Sequence, residues 1–127
     1  MIAVAQPLAT VMASIKNADE FSYAIRDFAD RFHESPDPSL LATAPDLLEP
    51  TLQDDGVADA WVASVAAYLA ETHGMPTPLW TRGAARCLTK PWFAAKSPNL
   101  KAILLQESPA AFRVRNLFVS ANALSRA

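Results

Sequence analysis

The chain has 127 residues, 51% of them hydrophobic, with three glycines, ten prolines, a single cysteine and a net charge of −2. A chain of this size makes one domain that can bury about two-thirds of its unfolded surface, and its composition argues against disorder, a disulfide framework and a multi-cysteine metal site. No apolar run reaches the ~18 residues of a membrane span, and Met1-Ile2-Ala3-Val4-Ala5 lacks the basic start of a signal peptide. The expectation is a cytoplasmic protein that keeps off the membrane.

The net charge hides an uneven distribution. Residues 1–79 carry three Lys/Arg and twelve Asp/Glu, a balance of −9; residues 80–127 carry eight Lys/Arg and one acid, Glu107, a balance of +7. Two readings follow. Either the halves neutralise each other within one domain, or the basic half meets a nucleic-acid or acidic partner.

In chain order, Leu8, Val11, Met12 and Ile15 follow Pro7 at i, i+3, i+4 and i+7, which predicts a short amphipathic helix over 8–16. Asn17, with Glu20 three residues on, predicts the capped start of a stronger helix. Phe21, Ile25, Phe28 and Phe32 form its core stripe, each worth roughly 1.5–3 kcal/mol on burial. Ser35-Pro36-Asp37-Pro38 stops that helix. Beyond it, Ser39 is expected to cap one turn through Leu40 and Leu41, and Pro45 to open another through Leu47 and Leu48. Pro50 to Gly56 reads as loop, with Asp54-Asp55-Gly56 as its turn and without the spaced ligands of a calcium loop.

Val57 to His73 predicts a second long helix, with Val57, Trp61, Val65, Tyr68, Leu69 and Thr72 along one side. Gly74 ends it, and Pro76 and Pro78 prevent its continuation. His73 at that end reads as a capping residue. Residues 75–98 are irregular, with a helical turn expected over 81–88. Trp80, Trp92 and Phe93 sit there among prolines, either as plugs at the edge of the core or as a binding surface. Asn99 is expected to cap a helix through Leu100, Ile103, Leu104 and Gln106.

Ser108 and Pro109 then suit the N-cap and first position of a final helix that runs to the C-terminus. Val114, Leu117, Phe118, Ala121 and Leu124 are its apolar stripe. Arg113, Asn116 and Ser120 flank it on one side, and Arg115, Asn122 and Arg126 on the other. The expected architecture is all-α: a compact single-domain bundle over residues 1–127, with five or six helices and proline-rich connections.

Little in the chain suggests catalysis. His33, His73 and Cys87 are far apart and lack ligand spacing, so no metal site is expected. No nucleophile elbow, glycine-rich phosphate loop or dinucleotide fingerprint occurs, so no cofactor is expected and an enzyme is the weaker reading. Cys87, beside Arg86, is a structural thiol or an activated one. Binding is better supported. Arg82, Arg86, Lys90, Lys96, Lys101, Arg113, Arg115 and Arg126 are interleaved with aromatics that can stack on bases or anchor a protein interface. No helix-turn-helix, zinc finger or RNA-binding motif accompanies them. The candidate partner-binding set is Trp80, Trp92, Phe93, Arg113, Arg115, Asn116, Asn122 and Arg126.

Several of these residues also carry a resemblance. Pro78-Leu79-Trp80, Lys90-Pro91-Trp92-Phe93, Glu107-Ser108-Pro109-Ala110-Ala111-Phe112-Arg113, Asn116-Leu117-Phe118-Val119-Ser120 and Ala123-Leu124-Ser125-Arg126 resemble a family of small bacterial proteins of unassigned chemistry. The first half agrees with that family only in helical pattern. The resemblance implies a partner of a nucleotidyltransferase-like protein in a toxin–antitoxin-type pair, some relatives being fused to a helix-turn-helix domain. The expected function is therefore a non-catalytic interaction module, antitoxin-like or an accessory subunit. The alternatives are a nucleic-acid-binding or transcription-regulator accessory domain and, less favoured, a small enzyme. Self-association is compatible with the sequence.

Overall fold

Two long helices carry the fold, and both start where their capping residues place them. A computed structural model describes residues 6–120 of the chain. Among these residues the architecture is an all-α bundle of six α-helices, with three 3-10 turns and one two-stranded parallel sheet. Helix α1 (Leu8–Ala13) follows Pro7 and buries Leu8 and Met12. Helix α2 (Ala18–Glu34) is capped by Asn17, whose side chain accepts from the Glu20 N–H at 2.9 Å. Glu20 in turn accepts from the Lys16 N–H at 3.0 Å, so two otherwise unpaired donors are satisfied at the helix start. The predicted stripe of Phe21, Ile25, Phe28 and Phe32 is buried, together with Ala29.

Helix α3 (Glu49–Leu52) lies where the sequence suggested loop. Pro50 fits in its first turn, where a missing N–H costs no intrahelical bond. The preceding 3-10 turn, Pro38–Leu40, is capped by Asp37 rather than Ser39: the Asp37 carboxylate accepts from the Ser39 N–H at 2.9 Å. Helix α4 (Val57–Thr72) is bounded by Gly56 and Gly74, both in the left-handed region. It is buried on all sides rather than along one stripe. From Ala58 to Ala70 every residue except Trp61 and Tyr68 is buried, because α2 and α3 pack on one part of its surface and the C-terminal half on the rest. Its alanines let these neighbours approach closely. The C-terminal ends of α2 and α4 meet through the two histidines, with His33 Nδ1 2.9 Å from His73 Nε2 and the His73 ring edge-on to Phe32.

The C-terminal half is the less regular. Two 3-10 turns, Leu79–Arg82 and Ala84–Arg86, pack on α4. Strand β1 (Trp92–Phe93) follows. Helix α5 (Pro98–Glu107) is capped by Ser97, not Asn99, with Pro98 in its first turn. Helix α6 (Ala110–Arg113) lasts one turn, and strand β2 (Leu117–Phe118) pairs in parallel with β1, Trp92 opposite Leu117 and Phe93 opposite Phe118.

The expected long final helix is thus corrected. It stops at Arg113, a tight turn follows, and Asn116 takes φ 64. Asn is among the few residues that tolerate this conformation. The chain then runs as a strand: the Trp92 N–H donates to the Asn116 carbonyl at 2.8 Å and the Ala94 N–H to the Phe118 carbonyl at 3.0 Å. Leu117, Phe118 and Val119 are all buried, whereas Val114, placed by the helical reading on the apolar stripe, is 69% exposed. The Ala121 and Leu124 part of that stripe lies outside the described residues.

Ser108 also differs from its expected role. Pro109, not Ser108, is the N-cap of α6. The buried Ser108 hydroxyl instead lies 2.7 Å from the Leu104 carbonyl and accepts from the Val119 N–H at 2.8 Å, tying the end of α5 to the end of β2. Ser108→Ala should lower stability by about 1–2 kcal/mol, because a buried amide loses its acceptor. A urea midpoint indistinguishable from wild type would contradict this role.

Candidate functional site

Three features bear on binding: an interior arginine pair and an exposed helix in the C-terminal half, and a cavity lined mainly by the N-terminal half. Arg86 is 6% exposed, with its Nη1 3.8 Å from the Oδ1 of Asp59 and its Nη2 donating to the Pro45 carbonyl. Its guanidinium lies over the Trp80 ring at 5.0 Å, and the Trp80 indole N–H donates to the Leu41 carbonyl at 2.8 Å. Asp59 is 1% exposed and accepts from the Leu48 and Glu49 N–H groups at 2.6 and 3.1 Å, at the start of α3. Burial pulls the Arg86 pKa down, while Asp59 and Asp46 pull it up.

Arg115 is 7% exposed and forms no ion pair with an acid among the described residues. Its Nε and Nη2 donate to the Thr81 carbonyl at 3.1 and 3.0 Å, and its Nη1 to the Ala111 carbonyl at 2.6 Å. Its pKa is pulled down chiefly by burial. Among the described residues the acidic and basic halves are therefore latched at Arg86–Asp59, not by Arg113 or Arg115. Asn116 is likewise structural, donating through Nδ2 to the Leu88 carbonyl at 2.8 Å.

The residues left facing outward form a second group. Arg113 is exposed and donates to the Ser108 carbonyl at 2.8 Å. Half-buried Phe93 stacks on Phe118, with ring centroids 4.9 Å apart, and has the Lys101 ammonium over its ring at 5.3 Å. Beside it stands α5, whose exposure is inverted. Leu104 is its one buried residue, while Leu100, Ile103 and Leu105 are each about half exposed. Helix α5 packs mainly on β2.

The third feature is a half-open cavity of about 290 Å³ between α2 and α4. Phe21 and Ile25 wall it from α2, Val57 and Trp61 from α4, with Leu52 and Trp92 completing the lining. Trp92 meets Trp61 edge to face at 5.8 Å, so the two indoles hold each other in place. Arg26 and Asp54 are the charged residues of the lining.

No protein-family model, curated protein or solved structure matches this chain. Among the eight sequence candidates, Trp92 and Phe93 lie on adjacent positions of β1 and Arg113 lies on the outside. Trp80, Arg115 and Asn116 serve the interior or its edge. Asn122 and Arg126 lie outside the described residues. Sequence reasoning missed the exposure of α5, for which Leu100, Ile103 and Leu105 spread around the helix were a signal, and missed the cavity, which joins residues from distant segments. Among the described residues no group of three or more His, Cys, Asp and Glu is placed to hold a metal.

Proposed function

We propose that this protein is a non-catalytic interaction module, an antitoxin-like or accessory subunit that docks on a protein partner through α5 and the adjoining Phe93. The observation that carries this reading is the outward display of Leu100, Ile103 and Leu105 on a helix with a single buried side chain. Leu100 and Ile103, three residues apart, share one side of the helix, and adjoining apolar exposure of this kind supports an interaction surface. Lys101 lies on the helix, Lys96 shortly precedes it and Arg113 bonds the Ser108 carbonyl at its end, while Glu107, its last residue, is the one acid in residues 80–127. The fitting partner therefore offers an apolar groove bordered by carboxylates, and the mechanism is steric and electrostatic occlusion of that partner. The interior roles of Arg86 and Arg115 leave fewer cations for phosphates, which favours a protein partner over nucleic acid. The resemblance of the C-terminal segment adds the partner class, a nucleotidyltransferase-like toxin in the cytoplasm.

Co-expression with the product of the neighbouring open reading frame tests the proposal. Co-purification and relief of that product's toxicity are expected; a chain that elutes alone and relieves nothing refutes the antitoxin role. The double variant Leu100→Asp/Ile103→Asp should keep its helical spectrum and lose at least about 2 kcal/mol of partner affinity, the scale of interface hot spots. Unchanged affinity in that variant would remove α5 from the interface.

A further inference from the structure

The cavity between α2 and α4 has properties of its own, independent of the α5 surface. On α2 the lining follows two adjacent ridges: Phe21 and Ile25 form the apolar wall, and Ala18, Ser22 and Arg26 form the lip. Ala18 and Ser22 are small and exposed, and Arg26 follows one turn on along the same ridge. From the other side come Leu52, Val57, Trp61 and Trp92. A volume of about 290 Å³ lies at the lower end of small-molecule sites. It suits one ring or a short branched chain and is too small for a nucleotide.

The two charged residues of the lining differ in what they already hold. The Asp54 carboxylate accepts from the Gly56 N–H at 3.2 Å and the Ala58 N–H at 2.9 Å. It sits at the N-terminal end of α4, where the helix dipole offsets its charge. Arg26 is exposed and has no hydrogen bond or ion pair among the described residues. Its neighbour Asp27 is taken by Arg31 at 2.9 Å. The indole N–H groups of Trp61 and Trp92 also lack partners among the described residues. The uncommitted polar groups are thus the cationic Arg26, the two indole N–H donors and the Ser22 hydroxyl, around an apolar and partly aromatic interior.

We propose that this cavity binds a small apolar carboxylate, with its hydrocarbon body between the aromatic walls and its carboxylate on Arg26. A guanidinium offers a planar pair of N–H donors to a carboxylate, which a neutral amide head cannot match in charge. The hydrocarbon body gains from burial against Phe21, Trp61 and Trp92.

Isothermal calorimetry with 3-phenylpropionate, hexanoate and the neutral 3-phenylpropionamide tests the proposal on the full chain. At least one of the two acids should bind with a Kd on the order of 0.1–1 mM, and 3-phenylpropionamide should bind at least about tenfold more weakly than 3-phenylpropionate. In Arg26→Gln the acids should fall to the level of the amide, with amide binding unchanged. In Ser22→Trp, which fills the opening from an exposed position, binding of acids and amide should both be lost. Far-UV circular dichroism establishes that each variant is folded, and Arg26→Gln, a surface change, guards against a Ser22→Trp that fails to fold. Equal affinity for acid and amide in the wild type, no heat from either acid up to about 10 mM, or acid binding undiminished in Arg26→Gln would each overturn the proposal.

Discussion

Asp59→Ala should remove about 3–5 kcal/mol of stability, the largest effect of any single substitution considered for this chain. The side chain does two jobs from a site 1% exposed. It accepts the Leu48 and Glu49 N–H groups at the start of α3, and it supplies the anion beside Arg86, whose Nη1 has no hydrogen-bond partner among the described residues. Alanine leaves two amides without acceptors and a buried cation with only the weaker field of Asp46 to offset its charge. Against a typical total of about 5–15 kcal/mol, such a loss approaches unfolding. Asp59→Asn keeps an acceptor oxygen and loses the charge, so it should fall between wild type and alanine. Removing Arg86 as well should recover part of the loss, because the stranded cation goes with it. Urea titration of the four proteins of this cycle reads the coupling directly. A cost below about 1 kcal/mol for Asp59→Ala would show that this pair does not hold the halves together.

Arg115→Met is the second large effect, and its sign depends on two opposed terms. Methionine relieves the cost of burying a cation that has no acid partner, but it strips donors from the carbonyls of Thr81 and Ala111. Unsatisfied buried acceptors cost about 1–3 kcal/mol each. Because the fork meets both carbonyls at hydrogen-bond distance, the second term should win, giving a net loss of about 2–3 kcal/mol. Arg115→Lys should restore only part of it, since one ammonium cannot reproduce the two-sided fork. Thermal melts or urea midpoints decide the matter. A neutral or more stable Arg115→Met would mean that desolvation of the guanidinium cancels its hydrogen bonds.

The contrast between these arginines and their expected roles shows where sequence reasoning reached and where it stopped. Helix α2 was legible because its signals are local: Asn17 and Glu20 at the cap, aromatics at helical spacing, prolines beyond the end. The bounds of α4 were legible from Gly56, Gly74 and the prolines that follow. Its complete burial was not, because alanine carries no preference for one face. Arg115 looked like a partner-facing residue since arginine is usually exposed, and the carbonyl of Thr81 that receives it lies 34 residues away. The pairing of Leu117 and Phe118 with Trp92 and Phe93 is likewise non-local, and it overrides a helical pattern that continues smoothly through Phe118. Asn116 held the one local warning, as a residue suited to leaving a helix in the left-handed region. Of the eight candidate residues, the two that neighbour each other on β1 had been singled out for their aromatic character. The apolar display of α5 was missed because helical spacing alone does not say which residues a neighbour covers.

The short sheet has a consequence for how the molecule opens. Strands β1 and β2 are neighbours in space, yet the chain between Phe93 and Leu117 leaves the sheet and returns, carrying α5 on the way. The paired strands close the base of that excursion. Helix α5 can therefore detach and reform without unzipping α4, so it behaves as a separate cooperative unit of low opening free energy. Its amides should exchange with deuterated solvent far faster than those of Val62 to Leu69. A bound partner would be recorded as slowed exchange confined to Leu100–Gln106, while exchange through global unfolding elsewhere stays in its original order.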